Sequence, residues 1–97
     1  MICCYIIFSE KLNRFYVGAS QSELDLRIQK HNDHSYGNHR FTAKADDWKL
    51  FLALECSSYP QAIRIERHIK NMKSSSYIHN LLKYPEMIEK LLEKYIL

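Results

Sequence analysis

The chain has 97 residues, 46% of them apolar, and carries 14 basic and 11 acidic residues for a formal net charge of +3. This composition is typical of one small folded domain and excludes a disordered chain, while the mild positive charge permits a polyanionic partner without requiring one. The three cysteines are an odd number without CxxC spacing, which argues against a disulfide framework or a cysteine zinc site.

Two β-rich runs open the chain, at residues 2–8 and 14–18, and a short polar stretch separates them. This pattern predicts an antiparallel hairpin. Because successive strand residues point to opposite faces, Tyr5, Tyr16 and Gly18 can share one face of the sheet. The first run is too short to cross a membrane and lacks the features of a signal peptide, so we expect a cytoplasmic protein without a membrane partner.

A helix is predicted to follow over residues 21–32. Ser20 and Glu23 have the spacing of a capping box, in which each side chain accepts a hydrogen bond from the backbone N–H of the other residue. At about 100° per residue, Arg27 and His31 border the apolar stripe of this helix. We therefore expect both side chains to lie at the edge of the core.

Residues 33–47 are polar and show no sustained period, which predicts a long loop of the kind that often carries function. His31, His34 and His39 raise the alternative of a zinc site, but their irregular spacing and the lack of nearby cysteines favour polar loop residues or DNA contacts. The apolar run at residues 49–56 predicts a third strand, although its period alone does not exclude a short helix.

The strongest helix signal covers residues 59–73. Ser58 and Gln61 again have capping-box spacing, and a proline stands in the first turn, where its missing N–H does no harm. By the helical period, the carboxylate of Glu66 points with the apolar face of this helix. Such a position indicates either a functional carboxylate or an ion pair with Lys70 one turn later.

Two further helices are predicted at residues 77–84 and 85–96, and we interpret them as scaffold. The expected fold is α+β, with a three-stranded, mainly antiparallel sheet flanked by helices and additional helices at the C-terminus. No internal repeat or linker is present. We therefore expect one domain over residues 1–97, with a core at 1–80 and a C-terminal helical extension at 81–97.

The order of these features resembles the GIY-YIG nuclease superfamily, in particular its small stand-alone branch, and is similar to the nuclease domain of excision-repair endonucleases. The resemblance extends over about residues 2–80, and the order and spacing of its motifs are more specific than any one motif. The residues that carry it stand in motif order: Tyr5, Tyr16-Val17-Gly18, Arg27, His31 and Glu66. One departure is Cys3-Cys4 in the place of Gly-Ile, two positions that vary in the superfamily.

The resemblance implies a metal-dependent endonuclease that hydrolyses phosphodiester bonds in DNA, with repair or recombination as its setting. Glu66 would bind Mg²⁺ or Mn²⁺, because one carboxylate with waters suits a hard divalent cation. Arg27 would clamp the scissile phosphate with its planar guanidinium. Tyr5 and Tyr16 would orient or deprotonate the attacking water, with pKa values lowered by the metal and the arginine. His31 would relay a proton or contact phosphate.

Several of these residues also have structural explanations, as half-buried strand aromatics or solvated surface charges. The further nucleic-acid contacts that we expect are Gly18, Arg40, Lys44, Lys70, Lys73 and Asn80. A catalytically silent nucleic-acid-binding module of the same fold is the main alternative, motivated by the altered first motif and the modest charge. An interaction protein that uses the apolar C-terminal helices is a third. No obligate protein partner is indicated, and the oligomeric state stays open.

Overall fold

The computed structural model describes residues 1–96. Strands β1 (Cys3–Ser9) and β2 (Arg14–Ser20) form the predicted hairpin, and β3 (Lys49–Glu55) completes a three-stranded sheet of order β2-β1-β3. Both strand pairs are antiparallel. The predicted α+β sheet is therefore confirmed, with β1 as its central strand.

Helices flank the sheet on both faces. They are α1 (Leu24–Asn32), α2 (Tyr59–Met72), α3 (Ser75–Lys83) and α4 (Pro85–Lys94), and a 3-10 turn lies at Phe41–Lys44. Helix α1 and the 3-10 turn cover one face, and the other three helices cover the opposite face. Within residues 1–96, none of the helices has the length and apolar character needed to cross a membrane.

Strand alternation divides the core into two clusters, because consecutive residues of β1 point to opposite faces. Cys4 and Ile6 face the layer formed by α2, α3 and α4. Cys3, Tyr5 and Ile7 face α1 and the segment before β3. All five side chains are fully buried, since β1 is covered on both faces and paired on both edges.

The start of α1 differs from the prediction, and the capping box there is wrong. Ser20 is the last residue of β2 and pairs with Cys3, and its Oγ accepts a hydrogen bond from the backbone N–H of Ser22 at 3.2 Å. Glu23 is itself the N-cap and makes no side-chain capping bond, so the helix begins at Leu24. Strand β2 extends to Ser20, so this residue pairs with Cys3 and does not cap α1.

The start of α2 follows the prediction closely. Ser58 Oγ accepts a hydrogen bond from Gln61 N at 3.2 Å, while Gln61 Oε1 accepts one from Ser57 N, at 2.7 Å, instead of from Ser58 N. Gln61 Nε2 also donates to the carbonyl of Leu92 at 2.9 Å, although the residue lies in the buried layer. The capping residue therefore also fastens α2 to α4, so the C-terminal helix supports α2.

The two C-terminal helices have slightly different ends from those predicted. Helix α3 begins at Ser75, not at residue 77, because Ser74 Oγ accepts a hydrogen bond from Tyr77 N at 3.1 Å and caps the helix. Helix α4 ends at Lys94, before the predicted end at residue 96. Leu97, the last residue of the predicted helical extension, lies outside the described residues.

Candidate active site

The sheet face that α1 covers brings four of the predicted catalytic residues together. Tyr5 Oη lies 2.8 Å from His31 Nε2, and Arg27 Nε donates to the same oxygen at 3.3 Å. The ring of Tyr16 also packs against His31, with ring centroids 5.1 Å apart. Tyr5 and Tyr16, which share one face of the sheet, therefore both contact His31 on α1.

A chain of hydrogen bonds links Arg27, Tyr5, His31 and Thr42 in this cluster. A guanidinium has only donors, so Arg27 donates to Tyr5 Oη and the phenol proton points to His31 Nε2. His31 Nδ1 then carries the ring proton and donates to Thr42 Oγ1 at 2.9 Å. This assignment gives the phenol proton an acceptor, and it makes the imidazole neutral and protonated at Nδ1.

Burial controls the charge states of these groups. His31 is 4% exposed, and its burial, together with the positive charges of Arg27 and Arg40, lowers its pKa to about 4. Burial raises the pKa of Tyr5 above its usual range, against the opposing hydrogen bond and charge of Arg27. In the protein without a bound metal, loss of solvation therefore outweighs the nearby cation, and a lowering of the Tyr5 pKa by a metal ion stays a prediction. Tyr5 is a protonated donor at neutral pH.

Gly18 lies opposite Tyr5 in the hairpin and lets the phenol ring lie against the backbone. A Cβ atom at Gly18 would stand 2.5 Å from both Cζ and Oη of Tyr5, closer than atoms can pack. A strand glycine often marks such a close approach. Gly18 therefore seats Tyr5 in the cluster, and its contact with nucleic acid stays a prediction.

We expect Gly18→Ala to displace the Tyr5 ring and to lower the free energy of unfolding by about 1–3 kcal/mol, because the added methyl overpacks the site. Urea denaturation measures this change. In a Tyr5→Leu background the same substitution should lower the free energy of unfolding much less, since the colliding ring atoms are absent. An equal loss in both backgrounds would show that the contact with Tyr5 is not the cause.

Trp48 holds the predicted loop at residues 33–47 against this cluster through its hydrogen bonds. Trp48 Nε1 donates to the carbonyl of Thr42 at 2.8 Å. The side chain of Asn32 accepts from Trp48 N at 2.7 Å and donates to Trp48 O at 3.0 Å. These bonds hold the two ends of the loop together and place Thr42 within hydrogen-bond distance of His31 Nδ1.

Tyr36, in the same loop, is a site residue that the sequence patterns did not identify. Its ring packs against His31 at a centroid distance of 4.9 Å, with Arg27 Cζ 4.9 Å and Arg40 Cζ 5.9 Å from the ring centroid. Cation–π attraction of this kind positions both guanidiniums over one ring. The Tyr36 Oη is buried, and no hydrogen-bond partner lies within residues 1–96. The available signal was that Tyr36 and Phe41 are the two aromatic residues of this polar loop.

Glu66 lies on α2, the helix that packs on the sheet face opposite α1. Its Oε1 accepts a hydrogen bond from Lys70 Nζ at 2.8 Å, and its side chain is only 18% exposed. Lys70 Nζ in turn lies 5.4 Å from the centroid of the Tyr16 ring. The structure therefore joins Glu66 to the tyrosine cluster through Lys70. The ion pair with Lys70 that the sequence left open is present.

The Glu66 carboxylate has the chemistry that a hard divalent cation requires. It is a partly exposed oxygen donor, and Mg²⁺ is commonly held by one or two carboxylates while it keeps several waters.

Among residues 1–96, no group of three or more His, Cys, Asp and Glu side chains could hold a metal ion. In the histidine set considered for zinc, His31 bonds Tyr5 and Thr42, and His34 bonds a backbone carbonyl.

The remaining predicted contacts lie outside this cluster. Lys44 is exposed on the 3-10 turn. Lys70 and Lys73 line a groove at the outer edge of β2. Asn80 is exposed on α3, and His79 lines the groove in its place. The contact of Asn80 with nucleic acid stays a prediction.

The comparison with protein families agrees with this geometry. The family model of the GIY-YIG catalytic domain matches residues 1–79 of the chain. No match was found among curated proteins or among solved structures. The matched range includes both tyrosines, the arginine and histidine of α1, and the carboxylate of α2. Because the match covers most of the chain and all of this site, the chain belongs to the GIY-YIG catalytic domain family.

Proposed function

We propose that this protein is a metal-dependent endonuclease that hydrolyses phosphodiester bonds in DNA. GIY-YIG domains are generally found in endonucleases. The observation that carries the proposal is the cluster in which Tyr5 and Tyr16 contact His31 and Arg27 bonds Tyr5. Lys70 links the carboxylate of Glu66 to the Tyr16 ring of this cluster. Phosphodiester hydrolysis needs cationic and oxygen-donor groups arranged around one phosphate.

Arg27 is the residue that we assign to the scissile phosphate. Its Nε donates to Tyr5 Oη, and the other N–H donors of its guanidinium suit two phosphate oxygens. The hydrogen bond to Tyr5 Oη and the contact with the Tyr36 ring hold the guanidinium in one orientation. A fixed positive charge there stabilises the negative charge that develops on the phosphoryl group.

Tyr16 is the tyrosine that we assign to the attacking water. Tyr5 is fully buried and its proton is engaged by His31, whereas Tyr16 is half-buried and borders an open groove. In the reaction, Tyr16 Oη accepts a hydrogen bond from the water and orients its oxygen towards phosphorus. As the new P–O bond forms, the P–O bond to the leaving oxygen breaks; the attacking water gives its proton to bulk solvent, and the leaving oxygen takes a proton from bulk solvent.

Glu66 would hold the divalent cation, Mg²⁺ or Mn²⁺, which supplies charge stabilisation at the phosphate oxygens when bound. Lys70 contacts only Oε1 of Glu66, so Oε2 can bind the cation, and a cation that takes both oxygens would displace Lys70. The released ammonium stays close to Tyr16, where it can contact a phosphate of the DNA backbone.

We assign the reaction to residues 1–80 of a single domain and a supporting role to residues 81–97. The contact between Gln61 and the carbonyl of Leu92 supports this division of roles, because it fastens the helix that carries the carboxylate. We also propose that the protein acts in the cytoplasm, because its three cysteines are buried free thiols and its proposed substrate is DNA. The process that we propose for it is DNA repair or recombination.

Cleavage of labelled DNA with Mg²⁺ or Mn²⁺, with and without a chelator, tests the proposal. We expect cleavage of branched, nicked or duplex DNA that stops when the chelator removes the cation. The alternative function is a silent DNA-binding module, which the ion pair between Glu66 and Lys70 favours because it occupies the carboxylate. That alternative requires DNA binding without cleavage and without sensitivity to the chelator.

A further inference from the structure

A groove of about 870 Å³ lies between β2 and the facing parts of α2 and α3. This volume is within the range of binding pockets for small molecules. Its floor is apolar and consists of Val17, Ile69 and Ile78. Among the described residues that line it, none is acidic, and the basic ones are Arg14, Lys70, Lys73 and His79. The groove is therefore suited to an anionic ligand with apolar parts.

Aromatic rings border the same groove. Phe41 is 39% exposed, and its ring is nearly parallel to that of Tyr16, with an interplanar angle of 14° and centroids 6.4 Å apart. Phe15 meets the ring of His79 edge-on at 5.3 Å. Exposed rings beside cations provide the two features that bind single-stranded nucleic acid, stacking of bases and neutralisation of phosphates.

We propose that this groove binds unpaired nucleotides of a DNA strand that leads into the active site. The proposal rests on the proposed nuclease function, since Tyr16 and Lys70 belong to both the groove and the site. The cations alone would suit duplex or single-stranded DNA. Bases of a duplex are stacked on each other, however, so only unpaired bases can stack on Phe41 and contact the apolar floor.

The charges on the groove wall are available to phosphates without disruption of the fold. Among the described residues, neither Arg14 nor Lys73 forms an ion pair, and both are exposed. Lys70 differs because Glu66 holds it. A strand in the groove therefore gains contacts with Arg14 and Lys73 at once, and reaches Lys70 where the groove meets the active site.

Fluorescence anisotropy in the presence of EDTA tests the phosphate contacts without cleavage. The probes are a labelled oligothymidylate of about 12 nucleotides and a labelled hairpin duplex. For the single strand, we expect Arg14→Gln to weaken binding and to reduce the slope of log K against log salt by about 0.7, the value for one lost phosphate contact. Arg64→Gln removes the same charge from an exposed position of α2 outside the groove and should leave this slope unchanged.

Phe41→Leu tests the stacking contact, because leucine keeps an apolar side chain but has no ring. We expect about tenfold weaker binding of the oligothymidylate and a smaller change for the duplex. Thermal melting verifies that this variant is folded. Arg14→Gln changes only an exposed charge, so it tests the proposal even if Phe41→Leu destabilises the protein.

Single-strand affinity and salt slope that do not change in Arg14→Gln would overturn the proposal, and so would an equal loss for the duplex and the single strand in both variants. These measurements need neither a metal ion nor cleavage. If cleavage proved independent of Glu66 and of the chelator, the nuclease proposal would fail, while a selective single-strand effect of the groove variants would still support the groove.

Discussion

Glu66→Gln should reduce the rate of DNA cleavage by at least about 10³-fold, because it removes the negative charge that we assign to the metal ion. Glutamine keeps the shape of the side chain and one acceptor oxygen, so the change isolates the charge. Single-turnover rates on labelled DNA with Mg²⁺ measure the effect. Glu89→Gln removes the same charge from an exposed position on α4 and should leave the rate unchanged.

This loss of activity should occur without a loss of the fold. Glu66 forms an i,i+4 ion pair with Lys70 whose side chains are 18% and 45% exposed, and such pairs contribute about 0.3–0.5 kcal/mol. The melting temperature should therefore change little. Mn²⁺ titration followed by electron paramagnetic resonance should show binding that Glu66→Gln abolishes and Glu89→Gln retains. Full cleavage by the Glu66→Gln variant would contradict the role of this carboxylate.

Local periodicity predicted the main relations of the site. Alternation along the two strands placed Tyr5 and Tyr16 on one face, and the structure has both rings beside His31. The helical period placed Arg27 and His31 at the edge of the apolar stripe, where one is half-buried and the other is buried. These relations depend only on the geometry of a strand or a helix, and the sequence therefore contains them.

The features that the sequence did not predict depend on contacts between distant segments. Tyr36 reaches the site because Trp48 and Asn32 fasten its loop, and no local period indicates such a position. The role of Gly18 follows from the strand register that sets it opposite Tyr5. The pKa of Tyr5 is raised because tertiary packing buries it, a quantity that a linear pattern does not contain.

The two tyrosines have different environments, which gives them different roles in our proposal. Tyr5 connects Arg27 to His31 through its single oxygen, and His31 continues the chain of hydrogen bonds to Thr42. This network holds the Arg27 guanidinium in position. Tyr16 is in contact with both the cluster and the groove, so it is placed where DNA and water can reach it.

Arg27→Lys should lower the rate of the chemical step by about 10²-fold or more, although it keeps the positive charge. Lysine has three N–H donors but lacks the planar fork, so it cannot present two parallel donors to the phosphate while it holds the position of the Arg27 guanidinium beside Tyr5 Oη. Single-turnover cleavage measures the step. DNA affinity in EDTA should change much less than the rate, because the charge that attracts the phosphate remains.

Arg67→Lys is the matched control, since Arg67 is exposed on α2 and lies outside the cluster. It should cleave DNA at the rate of the unmodified protein. Arg27→Gln should be slower than Arg27→Lys, because it also removes the charge that stabilises the phosphoryl oxygens. A fully active Arg27→Lys with an inactive Arg27→Gln would show that charge alone is required. In that case the contacts with Tyr5 and Tyr36 would not serve to orient a bidentate clamp.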